Sequence, residues 1–280
     1  MIAAALITFR EGLEAALIVG ILVGYIQRTG RAQHMRPLWL GVAIAVAASA
    51  GLAVAIRSVG LELEGRAEAA FEGLTMFTAA GLLTWMIFWM RYQARNVKSS
   101  LERDVEKAIR RGQRWGLASV AFIAVFREGV EMALFATAAA FAARGAPILI
   151  GVLLGLLSAC VVGYLVYSST ARLNLKSFFN VTSALLLLFA AGLVAHGVHE
   201  FQEAVLLPTF VEHVWDTSAV LDESSILGQL MKALIGYNAA PSLLEVVSYG
   251  AYWAFAIFGV RRWIDQRLAG EALRSNLIAS

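Results

Sequence analysis

The chain has little of what most folds of its length depend on. It holds one cysteine, Cys160, in 280 residues, so no disulfide can close within it and a secreted disulfide scaffold is excluded. It holds four prolines and no short repeat period, which excludes collagen-like and low-complexity chains. Charge is sparse: 15% of residues are Asp, Glu, Lys or Arg, against about 25% in an ordinary soluble domain. Apolar residues take their place. They make up 59% of the chain and raise the mean hydropathy to +0.70, far too apolar for disorder. The class that remains is an all-α, polytopic membrane protein with the lipid bilayer as its solvent.

Seven apolar runs approach the roughly 20 residues that a bilayer core requires: Ile2–Ile26, Pro37–Ile56, Phe71–Met90, Gly116–Ala142, Ala146–Ser168, Ser177–His196 and Leu243–Val260. The first is not a signal peptide, because it lacks a basic leader and carries Arg10, Glu11 and Glu14 inside the run. Of the 23 Lys and Arg residues, seventeen lie in Gln27–Arg36, Arg91–Trp115, Ala171–Lys176 and the tail. Four lie on the opposite side, Arg57, Arg66, Arg144 and Lys232, and Arg10 and Arg127 fall within spans. That asymmetry predicts an outer N-terminus and a cytoplasmic C-terminus. The net charge of +3 is therefore a topology signal, and no nucleic-acid partner is expected.

Acidic residues are biased the other way. Glu62, Glu64, Glu68, Glu72, Glu200, Glu203, Glu212, Asp216, Asp222 and Glu223 fall on or near the outer side. Each alone reads as a solvated carboxylate, but together they would concentrate cations at an entrance. Ser242-x-x-Glu245 after Pro241 predicts a capping box at the start of the seventh helix, which makes Glu245 a cap rather than a ligand. Asn96–Arg111 mixes charges of both signs at helical spacing and reads as a cytosolic or interfacial helix. Phe201–Tyr237 reads as short helices on the outer surface. Trp85, Met86, Trp89 and Met90 read as packing and an interfacial belt.

An internal repeat carries the chemistry. Phe9-Arg10-Glu11-Gly12-Leu13-Glu14-Ala15-Ala16-Leu17 recurs 117 residues later as Phe126-Arg127-Glu128-Gly129-Val130-Glu131-Met132-Ala133-Leu134, identical at seven of nine positions. Three spans separate the copies, so they cross the membrane in opposite directions. This predicts a 3+3 inverted repeat with one additional helix and a site where the halves meet. A charged residue at a helix centre costs about 2.5–3.5 kcal/mol on translocon scales, so these residues should face the bundle interior and pair. Arg10 with Glu14, and Arg127 with Glu131, are spaced for intrahelical ion pairs. Gly12 and Gly129, each with an alanine four residues on, allow close helix approach.

Glu11, Glu14, Glu128 and Glu131 offer hard oxygen ligands, which suit iron, Mn, Mg or Ca and suit Cu(I) poorly. Two arginines offset two of their four charges, leaving −2 for a cation. A purely structural reading, in which each triad only locks helix packing, leaves a surplus carboxylate unexplained in both copies. A second group, His196, His199, Glu200 and Glu203, lies at the outer mouth after the sixth span, and Glu72 is a weaker candidate of the same kind.

At the two motifs the sequence resembles the oxidase-dependent iron transporter family, the fungal high-affinity iron permeases and bacterial EfeU-type permeases. The Arg-Glu-Gly-Leu-Glu hallmark stands intact at Arg10–Glu14, and Val130 replaces its leucine at Arg127–Glu131. Length, seven spans, outer N-terminus and the run Leu83–Arg91 extend the likeness over most of the chain. The resemblance implies one permease domain over 1–280, with repeat one at about 1–90, repeat two at about 116–196, an outer loop region at about 197–241 and the seventh helix at about 243–260. It also implies a bacterial inner-membrane location and iron as the transported ion, with no bound cofactor. By the resemblance the four motif glutamates would carry iron; Glu72, His199, Glu200 and Glu203 on the outer side are candidates from their placement alone. An outer partner that oxidises or delivers iron is implied, of the EfeO/EfeB type or a multicopper ferroxidase. Two alternatives remain: a permease for another hard divalent cation such as manganese, and a membrane di-iron carboxylate oxidoreductase. The second would favour Glu-x-x-His pairs, which the motifs lack.

Overall fold

The computed structural model describes residues 2–93, 103, 106–107, 115–142, 148–168, 175–223, 225–259 and 262. Among these residues there is no strand. The helices are α1 (Ile2–Arg28), α2 (Met35–Glu62), α3 (Arg66–Gln93), α4 (Gly116–Ala142), α5 (Ile148–Ser168), α6 (Leu175–Glu203), α7 (Ile226–Ile235) and α8 (Leu243–Ala254). A 3₁₀ turn at Ala32–His34 precedes α2, and one π-helical stretch, Phe255–Gly259, continues α8. The helix expected over Asn96–Arg111 lies outside the described residues except for Arg103, Glu106 and Lys107, which are helical.

Among the described residues, four segments are long and apolar enough to cross a membrane: Ala32–Gly60, Arg66–Trp89, Ile148–Ser168 and Phe179–Glu203. Helices α1 and α4, at 27 residues each, are as long, but each interrupts its apolar run with the three charges of a motif. The chain is a multi-pass membrane protein.

Helix ends follow local chemistry. After α1 the Gly30 N–H reaches Gln27 O and the Arg31 N–H reaches Ile26 O, both at 3.1 Å, while Gly30 takes φ +67°. That is a Schellman ending with glycine where the left-handed backbone requires it. The same ending closes α6, from Val205 N–H to Gln202 O and Leu206 N–H to Phe201 O, but the left-handed position is Val205 at φ +61°. Helix α6 thus runs seven residues, about two turns, past the expected end at His196. Of the short helices expected over Phe201–Tyr237, one forms among the described residues, α7. It is capped by Ser225, whose side chain accepts from the Gly228 N–H, and it ends at left-handed Gly236.

In lipid there is little hydrophobic drive between helices, and small residues that let backbones close decide the contacts. Helix α1 lies along α5, α2 along α4 and α3 along α6, and α1 also crosses α4. On α5 the buried face is Gly151, Gly155, Ala159 and Gly163. A Cβ on Gly155 would collide with Thr8 and with the backbone of Ala5 and Phe9. The α2–α4 seam has the same character, since Gly41 abuts the Ala118 carbonyl and Gly129 abuts Ser49. Larger side chains fill the centre: Met76, Leu83 and Ile87 of α3, Phe135 of α4, and Phe189 and Leu193 of α6. Tyr252 of α8 joins them, its hydroxyl 2.8 Å from that of Thr84. Outward side chains of α5 such as Leu153, Leu157, Val161 and Tyr164 are exposed, as a lipid-facing surface requires.

Candidate metal site

Helix α1 presents Arg10, Glu11 and Glu14, and α4 presents Arg127, Glu128 and Glu131, where the two helices cross. Both intrahelical pairs form. Arg10 Nη2 lies 3.0 Å from Glu14 Oε1, and Arg127 Nε donates to Glu131 Oε1 at 3.0 Å. Arg10 also donates from Nη1 to Glu11 Oε1 at 2.6 Å and approaches Met86 Sδ at 3.4 Å. The Arg10–Glu11 pair was not foreseen, because successive helical residues point about 100° apart and only a long side chain bridges that angle.

One ligand oxygen from each of Glu11, Glu128 and Glu131 lies within 4.8 Å of the others, the one such group of three among the described residues. Glu11 and Glu128 are buried and Glu131 is half-buried. In all three, Oε2 is buried with no hydrogen-bond partner. Buried polar atoms are nearly always paired, so three orphaned carboxylate oxygens at one place call for an explanation. A hard cation supplies one, since it accepts several oxygens at once and repays their lost hydration. Glu14 is buried beside the trio but outside it, held by Arg10.

The remaining candidates are placed differently. Gly12 and Gly129 do mark close approaches, but to α5 and α2 rather than to each other: a Cβ on Gly12 would lie 2.9 Å from Ala159 Cβ, and one on Gly129 would collide with Ser49. His199 is held between two carboxylates, with Nδ1 3.2 Å from Glu245 Oε1 and Nε2 3.2 Å from Glu203 Oε1. The two glutamates take opposite ring nitrogens, so the three do not converge on one point. Glu245 also completes the capping box with Ser242 and accepts from Asn238 Nδ2 at 2.8 Å. Its cap role was legible in Ser242-x-x-Glu245, but its bond to His199 was not, because nothing local ties α6 to α8. Glu200 is buried, Glu72 is half-buried, and neither joins the trio. His196 is buried with Nδ1 on Gly192 O at 3.0 Å.

No solved structure matches the chain. Curated relatives do. The chain is 43% identical to the ferrous iron permease EfeU of Escherichia coli O157:H7 over 249 residues, 88% of this chain and 90% of the relative. It is 39% identical over 249 residues to the protein of that name from Yersinia pestis, 88% of each chain. A relative in Escherichia coli strain K12, also 43% identical, is called a putative inactive ferrous iron permease EfeU. These relatives are named as permeases, transporters rather than enzymes. The iron permease FTR1 family model matches residues 1–264, and the chain belongs to that family.

Proposed function

We propose that this chain is an iron permease that carries iron across a bacterial inner membrane into the cytoplasm, using Glu11, Glu128 and Glu131 as its central ligands. The observation that carries the reading is the convergence of those three carboxylates, each with an orphaned oxygen, from the two copies of one motif. Family membership supports iron as the cargo, and the relatives' names point to ferrous iron. Counted with Glu14 and the two arginines, the six charged motif residues sum to −2, which one divalent ion neutralises.

The proposed architecture is seven spans in two inverted halves, α1–α3 and α4–α6, with α8 and its π-helical continuation as the seventh. Its support is reciprocal packing: α1 on α5 mirrors α4 on α2, and α3 on α6 is its own mirror. Placement of Lys and Arg supports an outer N-terminus. The acidic segment after α6, with Glu212, Asp216 and Asp222, suits the outer side and a partner of the EfeO/EfeB type that delivers iron there.

The test is transport by purified protein in proteoliposomes under anaerobic conditions. Ferrous iron should enter, and excess iron should suppress manganese entry far more than the reverse. Equal mutual competition would favour a general divalent-cation permease. Two tightly held irons per chain with no transport would favour the di-iron oxidoreductase.

A further inference from the structure

The two arginines of the repeat occupy unequal places. Arg10 has a side chain 1% exposed and engages Glu11 and Glu14 through separate nitrogens, with Met86 of α3 packed on it. It is clamped from several directions. Arg127 has a side chain 49% exposed and meets Glu131 at 3.0 Å and Glu128 at 3.8 Å through Nε alone. Its two terminal nitrogens bond to none of the described residues. A contact through one nitrogen constrains the guanidinium less than contacts to two carboxylates through separate nitrogens.

There is also room for Arg127 to move. On α4 it shares a face with Ile123, one turn away and 66% exposed. Two turns the other way, Leu134 lines an open, apolar groove of about 360 Å³ between α2 and α3, which leaves space beside α4 but offers no charged partner. Helices α2 and α3 scarcely touch each other, so that side of α4 is left uncovered.

We infer that Arg127 is a displaceable cation: it holds Glu131 and Glu128 while the trio carries no iron, and it moves off them on the uncovered side of α4 as a metal ion takes its place, while Arg10 stays fixed. The inference rests on the trio being the iron site. Displacement would make iron release easy, because the tethered arginine competes for the same oxygens at high effective concentration. The two halves of the repeat would then have separate duties, a rigid anchor on α1 and an exchangeable one on α4.

Ferrous iron binding to the purified full-length protein, measured anaerobically by calorimetry, tests this with wild type, Glu11→Gln, Arg127→Gln and Arg127→Lys. Loss of a like charge beside the cation should tighten iron binding in Arg127→Gln by at least about tenfold. Its turnover in proteoliposomes should fall, because release is slowed, and its melting temperature should stay near wild type. A lysine keeps a mobile charge, so Arg127→Lys should restore both affinity and turnover. Weaker or unchanged binding in Arg127→Gln would overturn the inference and make Arg127 a fixed support of the site. If Arg127→Gln does not fold, loss of both affinity and turnover in Arg127→Lys overturns it equally. Wild-type affinity in Glu11→Gln would instead remove the trio itself, and with it the site reading.

Discussion

Phe77 of α3 and Phe201 of α6 each lie on the other helix's glycine. A Cβ on Gly73 would sit 2.6 Å from Phe201 Cδ1, and one on Gly197 would sit 3.0 Å from Phe77 Cδ2. The two rings meet at 5.2 Å with a tilt of 32°. In both helices the phenylalanine follows its glycine by four residues, so one Gly-x-x-x-Phe unit packs against a second copy of itself. Such mutual packing is what a two-fold axis would produce, and it supports the proposed relation between the helices that close each half.

The trio and Glu14 should respond differently to loss of charge. Glu11→Gln, Glu128→Gln and Glu131→Gln each remove a converging ligand and should abolish most iron uptake while the protein still inserts and folds. Glu14→Gln leaves the trio intact but removes one partner of a buried guanidinium, so its main effect should be on stability. Uptake and melting temperature measured side by side would separate the two classes. Normal uptake by any of the trio variants would break the shared-site reading.

The α1–α5 seam should be intolerant of added atoms. Gly155→Ala places a methyl group against backbone atoms of Ala5 and Phe9, which cannot step aside, and should cost about 1–3 kcal/mol or more. Gly51→Ala on α2 meets nothing within 4 Å and should be neutral or stabilising by up to about 1 kcal/mol. Thermal melts in detergent check both, and a Gly155→Ala protein as stable as Gly51→Ala would contradict the seam.

Val205 should be replaceable at a gain. A β-branched residue at φ +61° is strained by on the order of 1–2 kcal/mol relative to glycine. Glycine returns part of that through its freer unfolded chain. The side chain is 66% exposed, so little packing is lost. Val205→Gly should raise the melting temperature by about 2–4 °C, and a fall would mean that the valine makes a contact worth more than the strain.

Acid should loosen the segment before α8. Burial pushes the Glu223 carboxyl up, but the Lys232 hydrogen bond, the Ala239 N–H and the Lys232 charge outweigh it and hold it below its ordinary value of 4.5. A carboxyl lowered in the folded state stabilises above its unfolded value, and that contribution is lost as pH falls below about 4.5. Glu223→Gln should therefore melt lower than wild type at pH 6, with the gap narrowing toward pH 4. A gap of constant size would argue that the pair contributes through shape rather than charge.

What the sequence made legible was local. The repeated motif, the pairs Arg10–Glu14 and Arg127–Glu131 and the Ser242–Glu245 cap all depend on spacings of three or four residues along one helix. What it hid depends on which helices cross. Glu14 and Glu131 are equivalent in the motif, yet only Glu131 joins Glu11 and Glu128, while Glu14 is paired with Arg10 outside the group. Gly73, Phe77, Gly197 and Phe201 are ordinary residues of an apolar helix until α3 and α6 are laid together. The Gly-x-x-x-Phe spacing was available as a signal, but it is too common to weigh alone.

The seams of α1 with α5 and of α2 with α4 also set an order of events during synthesis. Each seam joins helices from the two proposed halves, so neither pair can form until α4 or α5 has been made. Glu11 precedes Glu128 by 117 residues, which a ribosome adding about 5–20 residues per second makes in roughly 6 to 23 s. If α1 is a span as proposed, Arg10, Glu11 and Glu14 stand for that interval in the bilayer or its insertion machinery without the α4 residues they will face. The nascent α1, with three charges and no partner helix, is therefore the step at which insertion machinery and quality control have the longest hold on this protein.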